Sequence, residues 1–206
     1  MIRWRVRWYW YALALGLPLA VHGGTDVPSL TFTSLTTFLA VFAVRLVNPA
    51  DGPLGEHPGW NGVALPGMQA SHSPLVATTV LALLVAGWHL PTFFLEEGGL
   101  RPSVLVAGFV TTMAVTYWYA WLFNHTGGSI LLVVAAHSVE RSIQYELGWL
   151  IMGVWLAVAV GLVVFDRKAW RGPAPAGTTM PPTLPPKVAA PTTSASLSPE
   201  QRPVVQ

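Results

Sequence analysis

The feature that most constrains this chain is an apolar run at residues 75–95, which contains no charged side chain. Its length matches the roughly 20 residues that a helix needs to cross the hydrocarbon core of a bilayer. Because a backbone in lipid must satisfy its own hydrogen bonds, the run predicts a membrane-spanning helix. His89 lies inside this run, and a protonatable ring at that depth needs a partner or a function.

The composition supports lipid as the surrounding medium. The 206 residues are 52% hydrophobic and 10% charged, which is too few charges to cover a soluble domain of this size. The net charge of +2 comes from basic residues that are scattered or near the chain ends, so it favours the positive-inside pattern over nucleic-acid binding. The absence of cysteine excludes disulfides, thiolate metal sites and a cysteine nucleophile.

Other apolar segments extend this prediction to an all-α, polytopic membrane bundle of about six transmembrane helices. The remaining predicted membrane helices cover residues 9–21, 30–47, 103–123, 130–142 and 147–165. The first could instead be a signal peptide, but a second span follows closely and no small-residue cleavage site precedes Gly23. Basic residues at both ends predict a plasma-membrane protein with both termini in the cytoplasm.

The chain is predicted to form one membrane-embedded domain, at residues 1–171, followed by a tail. Residues 172–206 are rich in Pro, Thr, Ala and Ser and lack hydrophobic periodicity. Such a segment cannot bury enough apolar surface to offset the entropy lost on ordering, so it is predicted to be disordered.

Local signals predict how several helix ends are formed. Residues 22–28 have the composition of a turn. Arg45 lies near the end of its predicted span, where a long side chain can extend to the membrane interface. The aromatic residues of segment 117–123 are typical of the belt that lies at headgroup level.

Three further signals concern the polar stretches between the spans. A short helix is predicted near Glu56, with Pro58 in its first turn, where the missing N–H costs nothing. Pro91 is expected to kink its helix just past His89. Ser129 is the predicted N-cap of the helix that follows it.

His137 and Arg141 form the first polar cluster inside a predicted span. His137 lies eight residues after Ser129, which places it about 12 Å along a helix, and Arg141 follows one turn later on the same face. Such residues often only join neighbouring helices by hydrogen bonds. The additional presence of Glu140 and Gln144 favours a water-filled cavity, because so many polar groups in lipid would be costly.

His89 and Glu56 have ordinary interpretations when each is taken alone. A single histidine in a membrane helix can simply donate to a nearby carbonyl, and a glutamate in a loop is commonly solvated. Together with His137 they suggest chemistry, because histidines polarise a carbonyl and hydrolysis also needs a group that deprotonates water. A partly desolvated glutamate does this well, since burial raises its pKa towards neutrality.

Three stretches resemble, in order and spacing, the CPBP family of intramembrane proteases, which contains CAAX prenyl proteases and Abi-type bacteriocin-processing enzymes. They are residues 55–62 (GEHPGWNG), residues 88–94 (WHLPTFF) and residues 123–129 (FNHTGGS), the last leading to His137. The resemblance covers about residues 46–164. It implies a helical bundle with an active site inside the membrane, acting as an endopeptidase on a peptide or protein substrate.

The resemblance also implies roles for individual residues. Glu56 matches the first glutamate of the family's EExxxR motif and would activate water together with His89. His137 would hold the substrate carbonyl or oxyanion. No cofactor is required on this interpretation; the alternative is a zinc ion, which would use His89, His137 and Glu56.

The chain departs from the family pattern at four positions. His57 replaces the second glutamate, Asn61 the arginine, Val85 the phenylalanine of FxxxH, and Arg141 the final Asn or Asp. His57 and Asn61 keep a spacing of four, which allows a neutral hydrogen bond on one helix face. Arg141 could donate to an oxyanion, or it could lower the pKa of Glu56. His57, Asn61 and Arg141 are therefore predicted as auxiliary site residues.

These departures leave two other functions open. One is a catalytically inactive relative that acts as a membrane binding or scaffold protein, as the changes at His57, Asn61 and Arg141 would suggest. The other is a small transporter or channel component in which His89, His137 and Arg141 line a polar path.

Overall fold

The computed structural model describes residues 3–23, 32–96, 101–143 and 148–180, and every regular element in these ranges is helical. The all-α prediction is therefore confirmed. The helices are α1 (Trp8–Gly23), α2 (Phe32–Val47), α3 (Gly52–Gly59), a π-helical turn (Trp60–Ala64), α4 (Leu65–Gln69), α5 (Pro74–Glu96), α6 (Pro102–His125), α7 (Ile130–Ser142), α8 (Trp149–Phe165) and α9 (Arg167–Arg171).

Two helices in the described ranges are long and apolar enough to cross a membrane. They are α5, over Pro74–Leu95, and α6, over Pro102–His125, while α8 is a shorter apolar helix. Each predicted span contains a helix in its described part, but the number of transmembrane helices stays a prediction. Pro91 lies inside α5 and does not end it, so the helix continues past His89.

The central helix of the bundle is α6, which packs against α5, α7 and α8. Its aromatic residues Trp118, Tyr119 and Phe123 are buried. The hydroxyl of Tyr117 forms a hydrogen bond of 2.7 Å with the hydroxyl of Thr79 in α5. The three buried rings therefore face the protein core, while the position of the segment at headgroup level stays a prediction. A helix surrounded by other helices buries its large rings in the core instead of exposing them to headgroups.

The short helix predicted near Glu56 is present, but it begins earlier, at Gly52. Asp51 is its N-cap, with Oδ1 accepting from the Gly52 N–H at 2.9 Å, and Pro53 takes the first turn. Pro58 lies inside the helix, contrary to the prediction. The π-helical turn follows directly, so α3 and α4 form one nearly continuous helical segment.

Arg45 forms an ion pair with the residue that caps the next helix. Its Nη1 contacts both carboxylate oxygens of Asp51, at 2.8 and 2.9 Å. A carboxylate that caps one helix and pairs with an arginine from another holds the two ends together. This pair therefore ties the end of α2 to the start of α3, the helix that carries Glu56.

Both ends of the described chain meet at one end of the bundle, which we call the terminal face. Ser129 caps α7 as predicted, accepting from the Leu132 N–H at 3.5 Å, and its hydroxyl donates to the Arg3 carbonyl at 2.7 Å. Residues 172–180 pack here too: Thr178 is fully buried, and its carbonyl accepts from Gln69 Nε2 at 2.8 Å.

Residues 172–180, which the sequence analysis assigned to the disordered tail, thus contact the helical domain. Composition could not reveal that a buried glutamine would bind this backbone. The rest of the predicted tail, residues 181–206, lies outside the described residues.

We predict that Gly128→Ala destabilises the protein. Gly128 has φ of 89°, and an added Cβ would lie 2.8 Å from the Gly177 carbonyl oxygen. The left-handed backbone alone costs about 1 to 2 kcal/mol for a residue with a Cβ. Purified protein in detergent should unfold at a Tm roughly 2 to 8 °C lower.

The matched control for this prediction is Gly67→Ala. Gly67 lies in α4 with nothing within 4 Å of an added Cβ, and alanine is the better helix former. Its Tm should be unchanged or higher. An equal Tm for the Gly128 variant and the parent would contradict the packing of residues 172–180 against this turn.

Candidate active site

A cavity of about 500 Å³ lies between α3, α5, α6 and α7. The three residues predicted to be catalytic, Glu56, His89 and His137, all line it. The three predicted auxiliary residues line it as well: His57, Asn61 and Arg141. Residues from three separate motifs, far apart in the chain, therefore share one space.

Glu56 faces His137 across Gly52. A Cβ added to Gly52 would lie 3.0 Å from Glu56 Oε1 and 3.7 Å from His137 Cε1, so both groups border the same point. Glu56 is on α3, outside the membrane-length helices, and it is half-buried. Burial raises the pKa of the Glu56 carboxyl, and a positive charge on His89, when that ring is protonated, and on Arg141 opposes that rise.

His89 lies on α5 and is half-buried. Its Nδ1 is 2.9 Å from the Val85 carbonyl oxygen. Because a carbonyl only accepts, the hydrogen must be on Nδ1, and a neutral His89 ring then keeps a lone pair on Nε2. The ring stacks on Phe93, with centroids 6.1 Å apart. Val85 thus contributes its backbone where the family pattern has a phenylalanine side chain.

His57 and Asn61 form the hydrogen bond that their spacing predicts. His57 Nδ1 and Asn61 Oδ1 are 2.7 Å apart, and His57 Nε2 reaches His137 Nδ1 at 2.9 Å. Burial lowers the pKa of His57 to about 4, so its ring is neutral at physiological pH. A neutral ring has one donor nitrogen and one acceptor nitrogen, and each of them forms one of these two hydrogen bonds.

Arg141 lines the cavity with an exposed side chain at the end of α7. Its charge lowers the pKa of Glu56, as the sequence suggested it could, but the effect of burial is larger and the net shift is upward. Asp51, the N-cap of α3, acts in the opposite direction to Arg141 and raises the pKa of Glu56. The cavity therefore holds a carboxyl with a raised pKa beside a cation.

The sequence placed Glu140 beside a water-filled cavity without a role, and it did not link Tyr119 or His22 to the site. Glu140 is 5% exposed, and its Oε2 accepts from the Tyr119 hydroxyl at 3.2 Å. His22, predicted to start a turn, belongs to α1, is fully buried, and has Nε2 4.0 Å from Glu140 Oε1.

Only part of this arrangement had a sequence signal. Glu140 lies three residues after His137, a spacing that places both on one helix face, with His137 Nε2 and Glu140 Oε2 3.8 Å apart. No comparable signal links Tyr119 or His22 to the site, because their helices are joined to it only by tertiary packing. Gln144, also expected near the cavity, lies outside the described residues.

The zinc alternative finds no support in the geometry of the donor side chains. Over the described ranges, no three His, Asp or Glu side chains converge closely enough to hold a metal ion. We therefore derive no chemical step through a metal.

Comparison with protein-family models gives one match. Residues 32–143, more than half of the chain, match the family described as type II CAAX prenyl endopeptidase Rce1-like. The matched range contains all six predicted site residues. A search of curated proteins gives no match.

We predict that Arg141→Gln raises the pKa of Glu56 further. The variant removes the guanidinium charge that favours the ionised carboxylate, while the burial that disfavours it stays. A carboxylate 13C NMR titration, with the Glu56 signal assigned by its loss in Glu56→Gln, should therefore show a midpoint at higher pH than in the parent.

Arg171→Gln is the matched control for this titration. Arg171 ends α9 at the terminal face, so the same change of charge and shape should leave the Glu56 midpoint in place. An unchanged midpoint in Arg141→Gln would show that this guanidinium does not act on Glu56.

Proposed function

Because the chain belongs to the type II CAAX prenyl endopeptidase Rce1-like family, we propose that it is an intramembrane endopeptidase whose water nucleophile is activated by Glu56 and His89. Proteins of this family are membrane proteases. The observation that supports the assignment of residues is the shared cavity, in which Glu56, His89 and His137 all present side chains.

In the proposed reaction, Glu56 takes a proton from water as the water oxygen attacks the scissile carbonyl carbon. A carboxyl whose pKa is raised by burial is suited to this task, because it holds the proton long enough to pass it on. The same proton then goes to the departing amine nitrogen as the C–N bond breaks. Glu56 is thereby returned to its ionised form. Because water attacks the carbonyl directly, no acyl-enzyme is needed.

The two histidines would have different tasks. His89 Nε2 carries a lone pair, since Nδ1 donates to Val85, so it can accept a hydrogen bond from the attacking water and orient it. His137 would stabilise the oxyanion that forms when water adds to the carbonyl, as the oxyanion hole does in other hydrolases.

A peptide ending in a CAAX sequence, with a prenyl group on its cysteine, is the substrate we propose to test first, because the family description names this class. A lipid tail needs access from the bilayer, and one wall of the cavity reaches the exposed surface. Trp88 lines this wall and is 65% exposed, with its ring 6.5 Å from that of Trp60.

We also propose an orientation in the plasma membrane, with the terminal face in the cytoplasm. Arg3 and residues 172–180 both lie at this face, so the two ends of the described chain are on the same side. Basic residues are concentrated there, as the positive-inside rule expects of a cytoplasmic surface. They are Arg3, Arg5, Arg7, Arg167, Lys168 and Arg171.

A second candidate function is that of an inactive relative which binds a membrane peptide or protein. The observation that favours it is Arg141 in the cavity wall, whose charge lowers the pKa of the proposed base. The two candidates differ in whether the purified parent cleaves any peptide.

We predict that Glu56→Gln abolishes cleavage of a farnesylated CAAX peptide while the protein stays folded. The amide cannot accept a proton from water, and loss of a general base typically costs 10² to 10⁴-fold in rate. The measurement is product formation by mass spectrometry in detergent or liposomes, with an unprenylated peptide of the same sequence alongside.

Equal cleavage by Glu56→Gln and the parent would show that Glu56 is not the base. No cleavage by the parent, together with cleavage by a His57→Glu, Asn61→Arg, Arg141→Asn variant that restores the family pattern, would establish the inactive relative instead. Cleavage of the unprenylated peptide alone would keep the endopeptidase and replace the substrate.

We further predict that Gly52→Ala lowers kcat by about 10-fold or more without unfolding the protein. The added Cβ would lie 3.0 Å from Glu56 Oε1, so the carboxylate must shift, and small displacements of a catalytic group are costly to the rate. Gly59→Ala on the same helix is the matched control, since an added Cβ there meets nothing within 4 Å. Equal kcat values for the two variants would contradict the placement of Glu56.

A further inference from the structure

We propose that Glu140 is a positioning residue that directs a proton onto Nε2 of His137, so that His137 presents an N–H donor at the cavity. The inference rests on the proposed function, since it assigns His137 the donor that an oxyanion needs. It concerns a chain of four side chains on the cavity wall: Asn61, His57, His137 and Glu140.

The contacts of Glu140 show a carboxylate held in place inside the bundle. The Tyr119 hydroxyl donates to Oε2 at 3.2 Å, and Oε1 lies 4.0 Å from His22 Nε2. Oε2 is also 3.8 Å from His137 Nε2. Glu140 is 5% exposed, so water screens its charge only weakly at these neighbouring groups.

The hydrogen bonds that link these four side chains can run in either of two directions. If Asn61 Oδ1 accepts from His57 Nδ1, then His57 Nε2 must accept from His137 Nδ1, and the His137 lone pair on Nε2 faces the Glu140 carboxylate. Two electron-rich groups would then be buried against each other. This direction also leaves Asn61 Nδ2, within the described part of the chain, without a hydrogen-bond partner.

Rotating the Asn61 side-chain amide by a half-turn reverses the direction of every hydrogen bond between these side chains. Asn61 Nδ2 then donates to His57 Nδ1, His57 Nε2 donates to His137 Nδ1, and His137 Nε2–H points towards Glu140. The position of the atoms is nearly the same, because amide oxygen and nitrogen are almost identical in size. The reversed chain removes the repulsion and leaves a carbonyl oxygen unpaired instead of an N–H, which is the less costly of the two.

The direction matters because an oxyanion needs a hydrogen-bond donor. A lone pair on His137 Nε2 would repel the negative oxygen, whereas an N–H at the same atom would stabilise it. His89 has the opposite arrangement in the proposed mechanism, since its Nδ1 donates to Val85 and the neutral ring keeps a lone pair on Nε2. Protein acceptors thus give the two histidines complementary tasks.

The test is 15N NMR of histidine-labelled protein in detergent micelles, comparing the parent with Glu140→Gln. The His137 signals are assigned by their loss in His137→Gln. We expect the Nε2–H tautomer in the parent and a shift towards Nδ1–H in Glu140→Gln, because the amide of Gln can donate to His137 Nε2. Glu140→Asp, which retains the carboxylate, should restore the parent tautomer at least in part.

Asp166→Asn is the matched control, since it makes the same change of carboxylate to amide at the terminal face. Asp166 Oδ2 contacts Trp121 Nε1 and His125 Nε2, each at 2.8 Å, and does not line the cavity. The His137 signals should be unchanged in this variant.

In the cleavage assay, Glu140→Gln should lower kcat about 10 to 100-fold with little change in KM, because the lost donor acts on the oxyanion. A His137 ring that is Nδ1–H in the parent, doubly protonated, or unaltered by Glu140→Gln overturns the inference, whether or not the protein cleaves peptides. A parent with the expected tautomers but no cleavage would overturn the proposed function and leave the role of Glu140 in place.

Discussion

The hydrogen bond between His57 and His137 is the contact on which the cavity depends, because it joins α3 to α7 inside the bundle. Tyr119 of α6 packs edge-on against His57 and at a tilt against His137, so a third helix meets at the same point. Burial keeps His57 neutral, which lets two imidazoles share one hydrogen without like-charge repulsion. The bond sets the position of α3, and α3 carries Glu56.

Charged side chains near this contact are tolerated because each has a hydrogen-bond or ion-pair partner. Asp51 has Arg45 and the first N–H of α3, while Glu140 has the Tyr119 hydroxyl. A buried charge without such partners would cost more than the bundle could offset. Glu56 differs, since burial outweighs the neighbouring charges and raises its pKa. Glu56 is therefore a cavity carboxyl whose ionised form is disfavoured by its surroundings.

The sequence predicted the helical class, the position of the six long helices and six of the residues that line the cavity, because periodicity and motif spacing are local properties. It did not predict the contact of His22 with Glu140 or the burial of the α6 rings, because their partners come from distant parts of the chain. Residues 172–180 show the same limit, since their order depends on Gln69. The importance of Glu140 was also hidden, because spacing relates it to His137 but tertiary packing supplies Tyr119 and His22.

The paired change to His57 and Asn61 has a physical logic in this setting. In the family pattern a carboxylate and a guanidinium occupy these positions. The hydrogen bonds of such an ion pair can have only one direction, since a carboxylate only accepts and a guanidinium only donates. An imidazole and an amide both donate and accept, so the same spacing can transmit a hydrogen-bond direction along the wall. A neutral pair also avoids the desolvation cost of two buried charges. The direction of these hydrogen bonds is then determined by the nearest fixed charge, which on this wall is Glu140.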